Sequence, residues 1–259
     1  LSQLTNEAGY DAEATVSPKG DKIVFTSMRT GDLELFTMNI DGTDVKQITT
    51  ELGYDGGAFF SPDGTKLVWR ASRPQTPEAI QEYQDLLKEG LVKPTDMELY
   101  VSNVDGTDIR KITSLGKANW APFFHPSGKK LIFASNHQTQ RGYPFNLFMV
   151  NLDGTGLTRI THDGTFDAFP VFSNNGKYLV FASNRNNGGT RDTNLFVAEW
   201  IGDSFEVPTA LRDVLSNPRP DPIIPAGCSS CPRCGRPYRF GGFGPSARDG
   251  GGEIPNTTH

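Results

Sequence analysis

Four short turns recur along this chain: Ser17-Pro18-Lys19-Gly20, Ser61-Pro62-Asp63-Gly64, His125-Pro126-Ser127-Gly128 and Ser173-Asn174-Asn175-Gly176. Around the second copy, Ala58-Phe59-Phe60 leads in and Leu67-Val68-Trp69 leads out, two β-forming apolar runs flanking four turn residues, which predicts a β-hairpin. Proline presets φ at the first corner, Asp63 can bond the local backbone, and Gly64 takes the left-handed conformation from which the second strand starts. A second turn follows each of the first three copies, as Asp41-Gly42-Thr43, Asp105-Gly106-Thr107 and Asp153-Gly154-Thr155. Each leads into a short run ending in Ile-Thr, at Ile48-Thr49, Ile112-Thr113 and Ile160-Thr161, so one repeat holds four strands. The copies are spaced by roughly 45 residues with one enlarged interval, and four-stranded repeats of that length build the blades of a β-propeller.

The expected fold is therefore all-β, a propeller of four-stranded blades with four blades recognisable. It spans 1–206, with blades at about 6–50, 51–114, 115–162 and 163–206. The fourth repeat lacks a convincing fourth strand, whereas Leu1-Ser2-Gln3-Leu4-Thr5 matches Lys46-Gln47-Ile48-Thr49; residues 1–5 are expected to supply that strand and close the ring. The enlargement falls in the second blade, about Arg73 to Met97. There Thr76-Pro77-Glu78 starts a helix, with threonine as cap and proline in the first turn, and Gly90 stops it. Ile80, Tyr83, Leu86 and Leu87 share one face of this helix, which packs on the propeller rim or docks a partner. From about Val207 the pattern stops, and 207–259 reads as a Pro/Gly-rich, disordered tail.

A chain of 259 residues with 36% hydrophobic residues can bury a sizeable core. The net charge of −5, with no basic run interleaved with aromatics inside the repeats, argues against nucleic acid. No apolar stretch is long enough to span a membrane, and Leu1 to Thr5 reads as strand rather than as the start of a signal peptide.

In a propeller the loops joining second to third strands share a face with the mouth of the central channel. Met28 to Asp32, Arg73 to Met97, Asn136 to Pro144 and Arg185 to Thr193 vary in length there, and variable loops on a rigid scaffold are where binding resides. At the mouth, Asp11, Asp55, Asn119 and Asp167 occupy equivalent positions, with Glu13 nearby, and Arg29, Arg73, Arg141, Arg185 and Arg191 rim the same face. Such carboxylates can hold a hard cation such as Ca²⁺, receive a basic partner segment, or tie neighbouring blades through backbone hydrogen bonds. The tight turns of the opposite face read as structural.

Catalytic motifs are missing: there is no Gly-x-Ser-x-Gly elbow, His-Glu-x-x-His, phosphate loop or dinucleotide fingerprint. His125 fills a turn position held by serine elsewhere, and His137 and His162 sit in loops without an acid or nucleophile at motif spacing. The three cysteines, Cys228, Cys231 and Cys234, all lie in the tail. They resemble half a zinc ribbon, with His259 a distant fourth candidate where structural zinc wants four ligands. No cofactor is expected beyond the channel Ca²⁺ alternative.

The wording SPDGTKLVWRASRP with LYVSNVDGTDIRKIT resembles the TolB-like propeller repeat, a relative of the WD repeat found in periplasmic and secreted bacterial proteins, over roughly 1–201. The enlarged second blade and the phrase ANWAPFFHPSG look most like propeller segments that accompany hydrolase domains. The family usually has six blades, against the four counted here. The resemblance implies a periplasmic or secreted setting, and the repeat, the missing catalytic motifs and the clustered variable loops point to a noncatalytic propeller that binds a protein or peptide at its loop-rich channel face. Its alternative is the propeller portion of a larger secreted hydrolase, of peptidase or amidohydrolase type, that gates or positions substrate. A weaker third reading is a small lyase using the channel carboxylates and a metal.

Overall fold

The computed structural model describes residues 1–140, 144–190 and 192–201. In the first sheet β1 (Asp11–Val16), β2 (Lys22–Ser27), β3 (Glu34–Asn39) and β4 (Lys46–Gln47) follow one another as antiparallel neighbours. The second sheet holds β5 (Asp55–Phe60), β6 (Lys66–Ser72), β7 (Met97–Asn103) and β8 (Arg110–Lys111), and the third β9 (Asn119–Phe124), β10 (Lys130–Ser135), β11 (Asn146–Asn151) and β12 (Thr158–Arg159). The last contains β13 (Asp167–Phe172), β14 (Tyr178–Ser183) and β15 (Asn194–Glu199). These are four blades of a propeller, with β1, β5, β9 and β13 in contact from blade to blade on the axis side.

The recurring turns close as their residue types require. Gly20, Gly64, Gly128 and Gly176 donate their N–H to the carbonyls of Ser17, Ser61, His125 and Ser173 at 2.8–2.9 Å. The side chain of Asp63 accepts from the Ser61 hydroxyl at 2.6 Å and from the Thr65 N–H at 3.0 Å. The Ile-Thr ends of the repeats also have a use. The hydroxyls of Thr49, Thr113 and Thr161 accept the N–H groups of Leu35, Leu99 and Leu147 at 2.8–2.9 Å, anchoring the outer edge of each blade where the fourth strand is only two residues long.

Helix α1 (Pro77–Lys88) lies in the second-blade insertion as the spacing predicts: the Thr76 hydroxyl accepts from Ala79 N, Pro77 opens the first turn, and Gly90 follows the end at φ +71°. Tyr83 is its buried residue, packed with Leu33, Tyr54 and Met97 on the rim of the propeller.

The core lies between blades. Val24, Leu35 and Ile48 of the first meet Phe60, Leu67 and Trp69 of the second. Val68, Leu99 and Val101 meet Phe124, Phe133 and Phe148, and Ile132, Leu147 and Met149 meet Phe172, Leu179 and Phe181. The sequence of contacts stops there. Among the described residues β13 does not touch β1, and Val180, Leu195 and Val197, the counterparts of Ile132, Leu147 and Met149, are 37%, 79% and 68% exposed.

Residues 1–5 correct one expectation. They form no strand and do not pair with β15, so the last sheet has three strands among the described residues. The backbone of Leu4 instead lies against Gly42, just as Ile48 lies against Gly106 and Ile112 against Gly154. The segment occupies the place of an outer strand from a preceding blade, on the first blade's flank. The tail from 207 onward lies outside the described residues.

Candidate functional site

The acids and arginines that the sequence places at mouth and rim are brought together by the structure, blade by blade. Arg29 Nη2 donates to Asp11 at 3.1 Å, Arg73 Nη2 to Asp55 at 2.8 Å and Arg185 Nη2 to Asp167 at 2.7 Å. Arg29 and Arg185 also donate through Nε to Ser27 and Ser183, and their guanidinium groups lie over Phe25 and Phe36, and over Phe181 and Phe196. Arg73 lies over Tyr100 and reaches Glu51 at 3.0 Å. The third blade builds the same brace from neutral groups: Ser135 Oγ donates to Asn119 Oδ1 at 2.7 Å and meets His137 Nδ1 at 2.9 Å, with the imidazole over Phe148.

Asp55, Asn119 and Asp167 are wholly buried, so a partner at the mouth does not reach them. Burial works against the Asp11 carboxylate, but hydrogen bonds from Ser27, Thr5 and Arg29 hold it below the usual range. For Asp55 burial prevails over Arg73 and Trp69 and pushes the carboxyl up to about 6. A missed signal was available in sequence: Phe25-x-Ser27-x-Arg29, Phe133-x-Ser135-x-His137 and Phe181-x-Ser183-x-Arg185 stand in register, each a fixed distance after its mouth residue.

Glu13 differs from the other mouth residues. Each inner strand bulges at its third residue, where Glu13, Gly57, Ala121 and Phe169 all have φ between +48° and +63°. From its bulge Glu13 crosses to the second blade, where it accepts from the Tyr54 hydroxyl at 2.6 Å, Gly57 N at 2.9 Å and Arg70 Nη2 at 2.7 Å. A Cβ at Gly56 would strike the Tyr54 hydroxyl and Glu13, and one at Gly57 would strike Arg70. The Gly56-Gly57 pair is thus a cradle for this inter-blade cluster, and burial drives the Tyr54 hydroxyl well above its ordinary range.

Behind the braces lies a layer the sequence reading missed, at the start of the third strands. Glu98 accepts from the Thr113 hydroxyl at 2.6 Å, Gly116 N at 2.7 Å and Asn119 Nδ2 at 3.2 Å. Glu34 and Asn146 hold the same place and are buried. Beside Glu34, Asp32 accepts from the Tyr83 hydroxyl and from Gly53 N, which pins the helix to the first blade.

Three histidines fall among the described residues. His125 is buried with Nδ1 on Ser127 Oγ at 2.9 Å, and His162 is an exposed loop residue. Among the described residues no three His, Cys, Asp or Glu side chains converge as metal ligands. Arg141, Arg191, Cys228, Cys231, Cys234 and His259 lie outside the described residues. No helix among the described residues is long and apolar enough to cross a membrane. On the turn face the inner strands end around an apolar cavity of about 210 Å³ lined by Val16, Phe59, Phe60, Phe123, Phe124 and Phe172.

Successive antiparallel sheets arranged about an axis, with turns on one face and variable loops on the other, define a β-propeller module. Its repeats are similar to those of the TolB-like family: the TolB beta propeller domain matches residues 91–199. The fold is shared with a protein assigned as TolB in Agrobacterium tumefaciens, at 19% identity and a TM-score of 0.55 over 74% of this chain and 64% of the other. TolB from Acinetobacter baumannii is also 19% identical, with a TM-score of 0.55 over 76% of this chain and 42% of that one. A puromycin-hydrolyzing peptidase of Mycobacterium tuberculosis matches at 16% identity and a TM-score of 0.51, over 73% of this chain and 28% of its own. This chain thus spans less than two thirds of the length of these proteins. A search of curated proteins found no match.

Proposed function

We propose that this chain is a noncatalytic, extracytoplasmic propeller module that binds a protein or peptide segment on its loop-bearing face. The observation that carries the reading is the helical insertion. Tyr83 fastens α1 to the rim, while Glu78, Glu82, Asp85 and Glu89 face solvent, so a rigid scaffold presents an acidic strip on the face where the loops vary. Glu82 and Asp85 hold Lys93 and Lys88 at 3.0 and 2.8 Å, exposed pairs that exchange readily with a competing basic segment. The buried Asp–Arg braces stiffen this face rather than contact the partner. The extracytoplasmic setting follows the TolB-like resemblance.

The test is a matched pair of charge reversals, Glu78→Lys with Asp85→Lys on the helix and Asp41→Lys with Asp105→Lys on the turn face, assayed against a panel of basic peptides. Loss of binding with the helix pair alone supports the reading. Unchanged binding with the helix pair, or loss with the turn pair alone, places the partner elsewhere.

A second reading, the propeller portion of a larger hydrolase that positions substrate, is favoured by the uncovered face of the last blade, where Phe169, Val171, Val180, Leu195 and Val197 are exposed. Sequencing the gene on both sides of this segment decides it: a hydrolase domain in the same reading frame supports it, and a frame without one rules it out.

A further inference from the structure

The three junctions between blades set the same two positions side by side, a residue at the start of a third strand and the first residue of the next blade's inner strand. Between the second and third blades these are Glu98 and Asn119, and the amide donates to the carboxylate at 3.2 Å. Between the third and fourth they are Asn146 and Asp167, again one amide and one acid. Between the first and second they are Glu34 and Asp55, two carboxyl groups. Asp55 is locked beside Glu34 because its N–H donates to the Leu33 carbonyl at 2.8 Å. Both acids are buried, and Glu34 Oε2 and Asp55 Oδ2 have no hydrogen-bond partner. Two ionised carboxylates supply only acceptors, so this junction lacks the donor that the Asn119 amide provides between the second and third blades.

We propose that Glu34 and Asp55 share a proton that stands in for the missing amide hydrogen, making the first junction a pH-sensitive clamp beneath helix α1. The groups facing the pair come from every element around it. Asp32 stands before β3, Thr49 and Glu51 after β4, Trp69 on β6, Arg73 after β6, Tyr100 on β7 and Tyr83 on α1. Thr49 donates to Glu34, while Trp69 Nε1 and Arg73 Nη2 both donate to Asp55 Oδ1, at 2.6 and 2.8 Å, leaving the other oxygen to the pair. The single arginine is also drawn to Glu51, so the three acids Asp32, Glu34 and Asp55 exceed the positive charge within the cluster.

The direction of titration agrees. Burial, with Asp55 and Asp32 adding to it, pushes Glu34 up to about 8, and burial pushes Asp55 up to about 6. Both folded values lie above the ordinary 4.5 and 3.8, so the folded chain holds protons that the unfolded chain releases. The stabilisation is complete below about pH 4 and is lost as pH rises through about 6 and about 8, when the second charge must be buried.

The test uses the full chain. The melting temperature should fall as pH rises from about 5 to about 9, Glu34→Gln should flatten the upper part of that fall by installing a permanent donor, and Glu98→Gln should leave its shape unchanged. A full wild-type slope retained in Glu34→Gln overturns the proposal. Because the variant could fold poorly, infrared spectra of the wild-type protein labelled with ¹³C-carboxyl glutamate and aspartate supply an independent reading. A protonated-carboxyl band at neutral pH that disappears near pH 9 supports the shared proton, and fully ionised carboxyls at pH 6 overturn it.

Discussion

The third and fourth blades are cut from one repeat, yet among the described residues only the third is covered on both flanks. Leu147 and Leu195 stand at the same position of the third strand, and one is wholly buried while the other is 79% exposed. The hairpins themselves match in register, since β10 pairs with β11 as β14 pairs with β15 over six residue pairs. Strand pairing is therefore a property of the repeat, whereas burial belongs to its neighbour. The contrast makes the two blades internal controls for each other.

The largest expected difference comes from truncating that leucine. Leu147→Ala should lower unfolding stability by about 2–5 kcal/mol in denaturant titration, while Leu195→Ala, at the uncovered position, should stay within about 0.5 kcal/mol. Equal effects would mean that the fourth blade is covered in solution. Next in size is the brace. Arg185→Ala strands the buried Asp167 carboxylate and should cost about 3 kcal/mol, whereas His137→Ala removes a neutral hydrogen bond and should cost about 1 kcal/mol. Matching losses in the two blades would break the distinction between charged and neutral braces.

Loop glycines give a contrast of the same size. Gly53, at φ +130°, would drive a Cβ into the Ser72 carbonyl oxygen, so Gly53→Ala should cost about 3 kcal/mol as the inter-blade crossing is forced apart. Gly188, at φ +66° in a fourth-blade loop with no atom within 4 Å, should cost only about 1 kcal/mol as alanine, from backbone strain alone. The smallest effect is expected at the cap of α1, where Thr76→Ala should cost about 1 kcal/mol and show as local hydrogen-exchange loss in the helix. A global fall in protection would show that the insertion holds the blades together.

Much of this was legible in the linear chain. The hairpin turns, the Asp-Gly-Thr turns and the helix from Thr76 to Gly90 depend on neighbours within a few residues, and they stand where turn chemistry and capping place them. The mouth acids and rim arginines were legible as two sets but not as pairs, because the spacing that joins Asp11 to Arg29 or Asp167 to Arg185 has meaning only once two strands run antiparallel. Glu34 and Glu98 carry no motif. Their role comes from the residue that the next blade sets beside them, aspartate in one case and asparagine in the other.

The sequence by itself determined the repeat, its four-stranded grammar and the propeller that follows, because turns, caps and strand alternation are local and each copy restates them. Tertiary structure alone decided which acids are sealed, that Leu1 to Thr5 lies against the first blade instead of closing the last, and that one junction sets two carboxyl groups side by side with one oxygen of each unpartnered. The physical reason is that burial and electrostatic environment depend on residues tens of positions away, and only the packing of one blade on the next selects them.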